Sequence, residues 1–456
     1  MKSLRYILIA STIIIATACN KKLDVLPQQN ITPDEIKTSD DVKAVLFGTY
    51  SLLQGPNGFG ERYILIPDLI ANNDQVDFIG TFTDYRDISR KVQDKTNVIA
   101  AGLWAGSYSI INVTNTVLDK ISLVTADERD AVEGEAKFVR GVAYFELVNF
   151  FAKPYSAGNV STNPGVPLTL NPVYVYDSTK DKPSRATIDA VYSQIVKDFS
   201  DAAQKLPETA DNGRATKYAA EAFLARVYMN MGDYANAAAM ANDVIASGDY
   251  SLSTSFENEY NNIGPTSEDI FSILQTSQSN AGTTNNGLST FYQPQPGGRG
   301  DAQVDPAYFN RFDDANDDRG SFFYLGISIA GDQGIYTGKW ADFYKVIPVI
   351  RLSEMYLTRG EANLHLGGVP VGGVAPVQDY NIVRRRAHAA SVAAVTTSDF
   401  VEERFRELGF EGDRLWTLKR LQMQVGNRAY DDNKLVMPIP QTELDVNSNL
   451  VQNAGY

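Results

Sequence analysis

Two stretches of the chain gather side chains able to hold a polar solute without transforming it. Asn73, Asp74, Asp77, Phe78, Phe82, Tyr85 and Arg86 fall within one short span, and Phe291, Tyr292, Gln293 and Arg299 stand among glycines and prolines further on. Rings offer faces for apolar contact, while carboxylate, amide and guanidinium groups supply directed hydrogen bonds. Groups for covalent or metal chemistry are scarce by comparison. The two histidines, His365 and His388, lie in helical segments with no second histidine or cysteine at ligand spacing, so both read as surface or packing residues. No serine sits in a G-x-S-x-G elbow, and there is no H-E-x-x-H or phosphate-binding loop. The acidic run Asp313–Asp318 invites a calcium reading. Arg319 stands where an EF-hand turn needs glycine, and Leu325 where it needs glutamate. The run therefore reads as an acidic turn, with no metal and no cofactor expected. A pair of carboxylates could still serve glycoside hydrolysis, because spacing in sequence does not fix distance in space.

The single cysteine, Cys19, has a different use. Lys2 and Arg5 precede an apolar stretch from Tyr6 to Ala18, too short to span a bilayer as a helix and of the length of a secretory signal. Thr17 and Ala18 lead directly into Cys19, which has no cysteine partner for a disulfide and is placed to carry a lipid. Residues 1–18 are thus expected to be a signal peptide and 19–30 a lipidated tether closed by Pro27, anchoring the protein to a membrane.

The elements that must position the ligand loops are helical. Val132–Phe151 places Ala136, Val139, Ala143, Leu147 and Phe150 on one face and stops at Lys153-Pro154. Thr187 caps a second helix running to Lys205. From Leu224, small and aromatic residues at Ala225, Tyr228, Gly232, Tyr234 and Ala237 match a tetratricopeptide helix-turn-helix, with Gly248 closing the second helix. A looser copy spans Val349–Leu366, and helices are expected near Val377–Ala390 and Ser398–Leu408. Between these blocks, Gly55–Asn97 and Ser251–Lys345 read as long irregular loops, which often carry function. A formal net charge of −14 excludes a basic nucleic-acid surface and suits neutral ligands. The tryptophans Trp104 and Trp416 read as packing residues, and Trp340 fits either role.

Taken in order, several motifs resemble the SusD/RagB family of outer-membrane lipoproteins of Bacteroidetes. They are Leu23-Asp24-Val25-Leu26-Pro27, Glu135–Leu147, Gly165–Leu168, Gly213–Lys217, Glu268–Phe271, Arg351–Leu357, Glu403–Leu408, Phe410–Arg414 and Gln452–Tyr456. The charged residues in these motifs, among them Arg140, Glu354, Glu403, Arg414 and Arg420, are expected to form scaffold ion pairs. The resemblance implies a mostly α, tetratricopeptide-like scaffold with long binding loops and little β structure. Its N-terminal region would span 31–250 and a loop-rich C-terminal region 251–456. It also implies a non-catalytic protein on the cell surface that binds a nutrient, an oligosaccharide first and a peptide as the alternative. The expected partner is a SusC-like TonB-dependent transporter, which the protein would cap as a lid. Under that reading the two loops converge on one shallow site, with Asn73, Asp74, Asp77, Phe78, Phe82, Tyr85, Arg86, Tyr292 and Arg299 contacting ligand.

Overall fold

A computed structural model of the chain describes residues 33–72, 74–211 and 213–456. The signal peptide, Cys19 and the tether lie outside the described residues, as does Asn73. The N-terminal half holds α1 (Ser39–Gln54), α2 (Arg62–Ala71), α3 (Thr83–Ser89), α4 (Val98–Asp119), α5 (Arg129–Phe151), α6 (Ile188–Lys205), α7 (Lys217–Met231) and α8 (Tyr234–Ser247). A short α9 (Leu288–Tyr292) precedes α10 (Leu352–Leu366), α11 (Pro376–Arg386), α12 (Thr397–Leu408), α13 (Asp413–Arg420) and α14 (Gln441–Val446). Six strands form three two-stranded antiparallel ladders among the described residues. β1 (Val76–Phe78) pairs with β3 (Ala302–Val304), β2 (Asp269–Ile273) with β6 (Ile347–Arg351), and β4 (Phe323–Ile327) with β5 (Gln333–Thr337).

Successive helices pack on one another: α1 on α4, then α4, α5, α6, α7 and α8 in sequence, with α10 on α8 and α11 on α10. Local chemistry sets the boundaries. Thr187 and Thr216 cap α6 and α7, each accepting from a backbone N–H three residues on. Gly232 ends α7 in the left-handed region at φ 74°, and Asp233 caps α8 through Asn236 N at 3.2 Å. Ala237, Ala238, Met229 and Ala362 then share one buried cluster, with Tyr228 and Tyr234 packed against it. Small residues let the helices close, and the tyrosines fill the remaining space. Nothing stands within 4 Å of where a Cβ on Gly232 would sit. Gly232→Ala therefore isolates backbone strain, with an expected loss of about 1 kcal/mol in urea unfolding. An unchanged midpoint would contradict the turn argument.

One apolar core runs from Leu53 to Leu450, so the two sequence regions share it. The expected ion pairs are all formed. Arg140 meets Asp198 at 2.7 Å, Arg226 meets Glu354 at 2.6 Å, and Arg420 meets Glu361 at 2.6 Å. Glu403 takes Arg319 at 2.7 Å, and Arg414 takes Asp74 at 2.6 Å.

The structure corrects the sequence reading in three places. Gly55–Asn97 is not irregular, for it contains α2, β1 and α3. Ser251–Lys345 contains β2 to β5 and α9. The segment Val349–Leu366 begins as the last residues of strand β6 before turning into α10. In α2, residues Tyr63 through Ala71 are all buried, so the helix shows no polar face for periodicity to reveal.

Candidate functional site

The two ligand-loop candidates are joined through α2. Its residues are largely apolar except Arg62 at the start and Asp68, and Glu61 immediately precedes it. Both carboxylates are buried, so each needs partners. Glu61 accepts the Tyr85 hydroxyl from the first loop and the Gly287 N–H, at 2.8 Å, from the second. Asp68 accepts the Tyr292 hydroxyl at 3.0 Å, Gln75 Nε2 at 3.1 Å and Gly412 N–H at 3.2 Å. Burial raises both carboxyls, Asp68 to about 7, against the pull of these donors.

Next to these anchors, β1 and β3 bring the loops edge to edge. Asp77 stands opposite Gln303 and Phe78 opposite Ala302, and Ile79 N–H continues the contact to Asp301 O at 2.9 Å. A Cβ on Gly80 would come within 2.8 Å of the Asp301 side chain, so only glycine permits this approach. Above the ladder the rings interlock. Phe78 stacks on Tyr85 at 5.8 Å, Tyr85 meets Phe291 at 4.9 Å, and Phe82 meets Phe291 edge-on at 6.1 Å. Arg299 lies over Phe82 with its guanidinium carbon 4.4 Å from the ring centre, held by Asp301 at 2.7 Å.

The candidate residues separate into two groups on this geometry. Asp77 is exposed, and Phe78, Phe82, Arg86 and Arg299 are half-buried. Burial and the nearby Asp305 raise the Asp77 carboxyl above its ordinary range. Tyr85 and Tyr292 have a different environment from the one the sequence suggested. Both are buried, and each hydroxyl is committed to an internal carboxylate, so they anchor the loops and present no surface to a solute. Asp74 is likewise engaged, bridging Arg311 and Arg414, whose guanidiniums lie over the Phe405 ring. It pins the first loop to the C-terminal helices.

Glu61 and Asp68 were missed by the sequence reading. The signal available was an acid set inside an apolar run, which demands a buried partner. The remaining polar candidates are spoken for. His365 stacks flat on Tyr234 at 4.1 Å, and His388 Nδ1 lies 2.6 Å from Asp318 Oδ2. Asp314 accepts Asn316 and Ala390 N–H groups, and Asp317 holds Arg319, so the acidic run acts as a set of turn caps. Among the described residues no group of three or more metal-ligating side chains is assembled. Trp340 is a packing residue, buried with its indole N–H on Phe410 O at 2.9 Å.

Comparison with known proteins agrees with this architecture. A family profile described as SusD family matches residues 151–436, and a second, described as starch-binding associating with outer membrane, matches 23–229. The chain belongs to the SusD family, a class of mostly helical proteins with a tetratricopeptide-like scaffold. Among its relatives, SusD-like protein P2 of Formosa agariphila is 26% identical over 92% of this chain and 93% of that one. Starch-binding protein SusD of Bacteroides thetaiotaomicron is 25% identical over 75% of this chain and 76% of its own. A crystal structure of a SusD superfamily protein from Bacteroides thetaiotaomicron superposes with a TM-score of 0.81 at 26% identity, covering 91% of this chain and 99% of that one.

Proposed function

We propose that this chain is a lipid-anchored outer-membrane protein that binds an oligosaccharide without turning it over. It passes the ligand to a TonB-dependent transporter that it caps as a lid. The observation that carries the reading is the pair of half-buried rings Phe78 and Phe82, both packed on Phe291, with Arg299 over Phe82 and with exposed Asp77 and half-buried Arg86 on the same segment. Sugar rings pack their C–H faces on the faces of such aromatic rings, and their hydroxyls take hydrogen bonds from the guanidiniums and give them to the carboxylate. The match of residues 23–229 to a profile described as starch-binding associating with outer membrane supports both the ligand class and the location. A protein that carries its cargo has no need of activated nucleophiles or paired catalytic acids. The buried acids around these rings are engaged within the fold: Asp301 holds Arg299, and Glu61 and Asp68 face tyrosine and backbone donors.

Calorimetry of the chain lacking residues 1–19 against oligosaccharides and peptides tests the reading. Saturable oligosaccharide binding with no product is expected, and Phe82→Ala with Arg86→Ala should weaken it at least about tenfold, or 1.4 kcal/mol. Binding of peptides alone would move the cargo class. Hydrolysis that disappears on one Asp or Glu substitution would replace the reading with catalysis.

A further inference from the structure

The loop after α5 carries a second surface that the ligand site does not use. Of the twenty exposed large apolar side chains among the described residues, six lie around one groove. Leu170 and the run Val173–Tyr176 form one side, and Val446 the other. Between them lies an open groove of about 490 Å³ walled by Tyr108, Pro172, Tyr176, Val446 and Leu450. Val175 stands at the tip, 85% exposed, between Tyr174 and Tyr176 at 40% and 55%.

This exposure is built into the fold. The Asn112 amide holds the Val173 backbone from both sides, at 2.7 and 3.1 Å. Asn115 holds Thr169 O at 2.9 Å and Asn171 O at 3.3 Å, and the Tyr174 hydroxyl donates to Asp119 at 2.7 Å. Three side chains along one face of α4 thus fix an apolar tip pointing into solvent. A soluble surface gains nothing from such an arrangement.

The position of the loop indicates what covers it. Asp119 is the last residue of α4, and the residues just before it, Val117 and Leu118, pack with Ile36. The chain therefore comes in from its N-terminal side at the same end of α4 that holds the Tyr174 loop. Thirteen residues separate Cys19 from Pro33, a reach of at most about 45 Å. An aliphatic tip between two tyrosines suits the membrane–water boundary, where tyrosine rings sit at headgroup level. We propose that the Leu170–Tyr176 loop, with Val446, is a membrane-contact surface that rests on lipid and orients the tethered protein. This inference rests on the lipid-anchor reading above.

The test places an environment-sensitive fluorophore on Val175→Cys in the lipidated full-length chain, bound to vesicles of phosphatidylethanolamine and phosphatidylglycerol. The same label on Val369→Cys, at a position 92% exposed between α10 and α11, is the control. Position 175 should shift to the blue, brighten about twofold and be quenched by brominated acyl chains, while position 369 stays unchanged. If position 175 behaves like 369 on vesicles that carry the protein, the proposal is overturned. A change that needs a second membrane protein assigns the patch to that protein and also overturns it. Failure to float with vesicles would count against the lipid anchor alone. Replacing residues 1–19 with six histidines on nickel-chelating lipid then holds the same surface at the bilayer, where the same two outcomes decide.

Discussion

Replacing Arg351 with leucine is expected to remove about 3–5 kcal/mol of folding stability, a large share of the 5–15 kcal/mol typical of a folded protein. Arg351 is 1% exposed at the end of β6. Its guanidinium meets Glu268 at 2.6 Å, Glu411 at 2.9 Å and Glu407 at 3.1 Å, and also reaches Glu407 O. Arg386, Arg319 and Lys339 share these carboxylates. Burial alone would raise the Glu407 carboxyl, but Arg386, Arg351 and Arg319 outweigh it and hold it well below the usual range. Leucine fills part of the space and leaves three buried acids short of positive charge, which is what makes breaking a buried network costly. Arg351→Lys should recover only part of the loss, because an ammonium cannot match the planar fork. Urea unfolding of both variants measures this, and a loss below 1 kcal/mol for leucine would show that the network is replaceable by packing.

A substitution in the opposite direction concerns Glu146 on α5. It is buried, its Oε2 has no hydrogen-bond partner among the described residues, and it lines a cavity of about 60 Å³ with Arg226 and Trp416. Burial pushes its carboxyl up to about 8, with Arg226 opposing. A folded-state value above the unfolded one means that folding takes up a proton between about pH 4.5 and 8. The stabilising proton is fully present below 4.5, and its contribution is lost as pH rises through 8. Glutamine keeps the shape and has no proton to take up. Glu146→Gln should therefore stabilise the chain by about 1 kcal/mol at pH 5.5 and about 3–4 kcal/mol at pH 7.5. Parallel stability–pH curves for the two proteins would mean that Glu146 is ionised and solvated in the native state.

What could be seen in the sequence follows from what each element buries. α5 and the α7–α8 pair were legible because their boundaries carry chemistry of their own: proline after Phe151, and glycine at 232 and 248. α2 was hidden because all its residues from Tyr63 onward are buried, which removes the contrast that periodicity depends on. β1 and β3 are three residues each and pair across more than two hundred positions, so neither carries a local signal. For the candidate site, the sequence found the two loops, and their types showed which groups could bind. It could not tell a ring that faces solvent from one turned inward. Phe82 and Tyr85 are three residues apart, yet only the tyrosine has a hydroxyl to give Glu61, and that bond draws it under the surface. The deciding carboxylates, Glu61 and Asp68, lie in the segment that had been read as loop.

Helix α4 has a mechanical consequence for the lid role proposed above. At its first turn, Asn97 and Val98 bond to Asp84 in α3, beside Tyr85 and Arg86. At its far end lie Ile36 and the Tyr174 loop. Twenty-two helical residues make a strut about 33 Å long. On the proposed reading, with the anchor near the Ile36 end as fulcrum, a rocking of about 20° would sweep the candidate ligand loops through about 11 Å along that strut. A modest tilt at the proposed anchor would thus become a displacement of several ångströms at the loops, carried by a rigid helix.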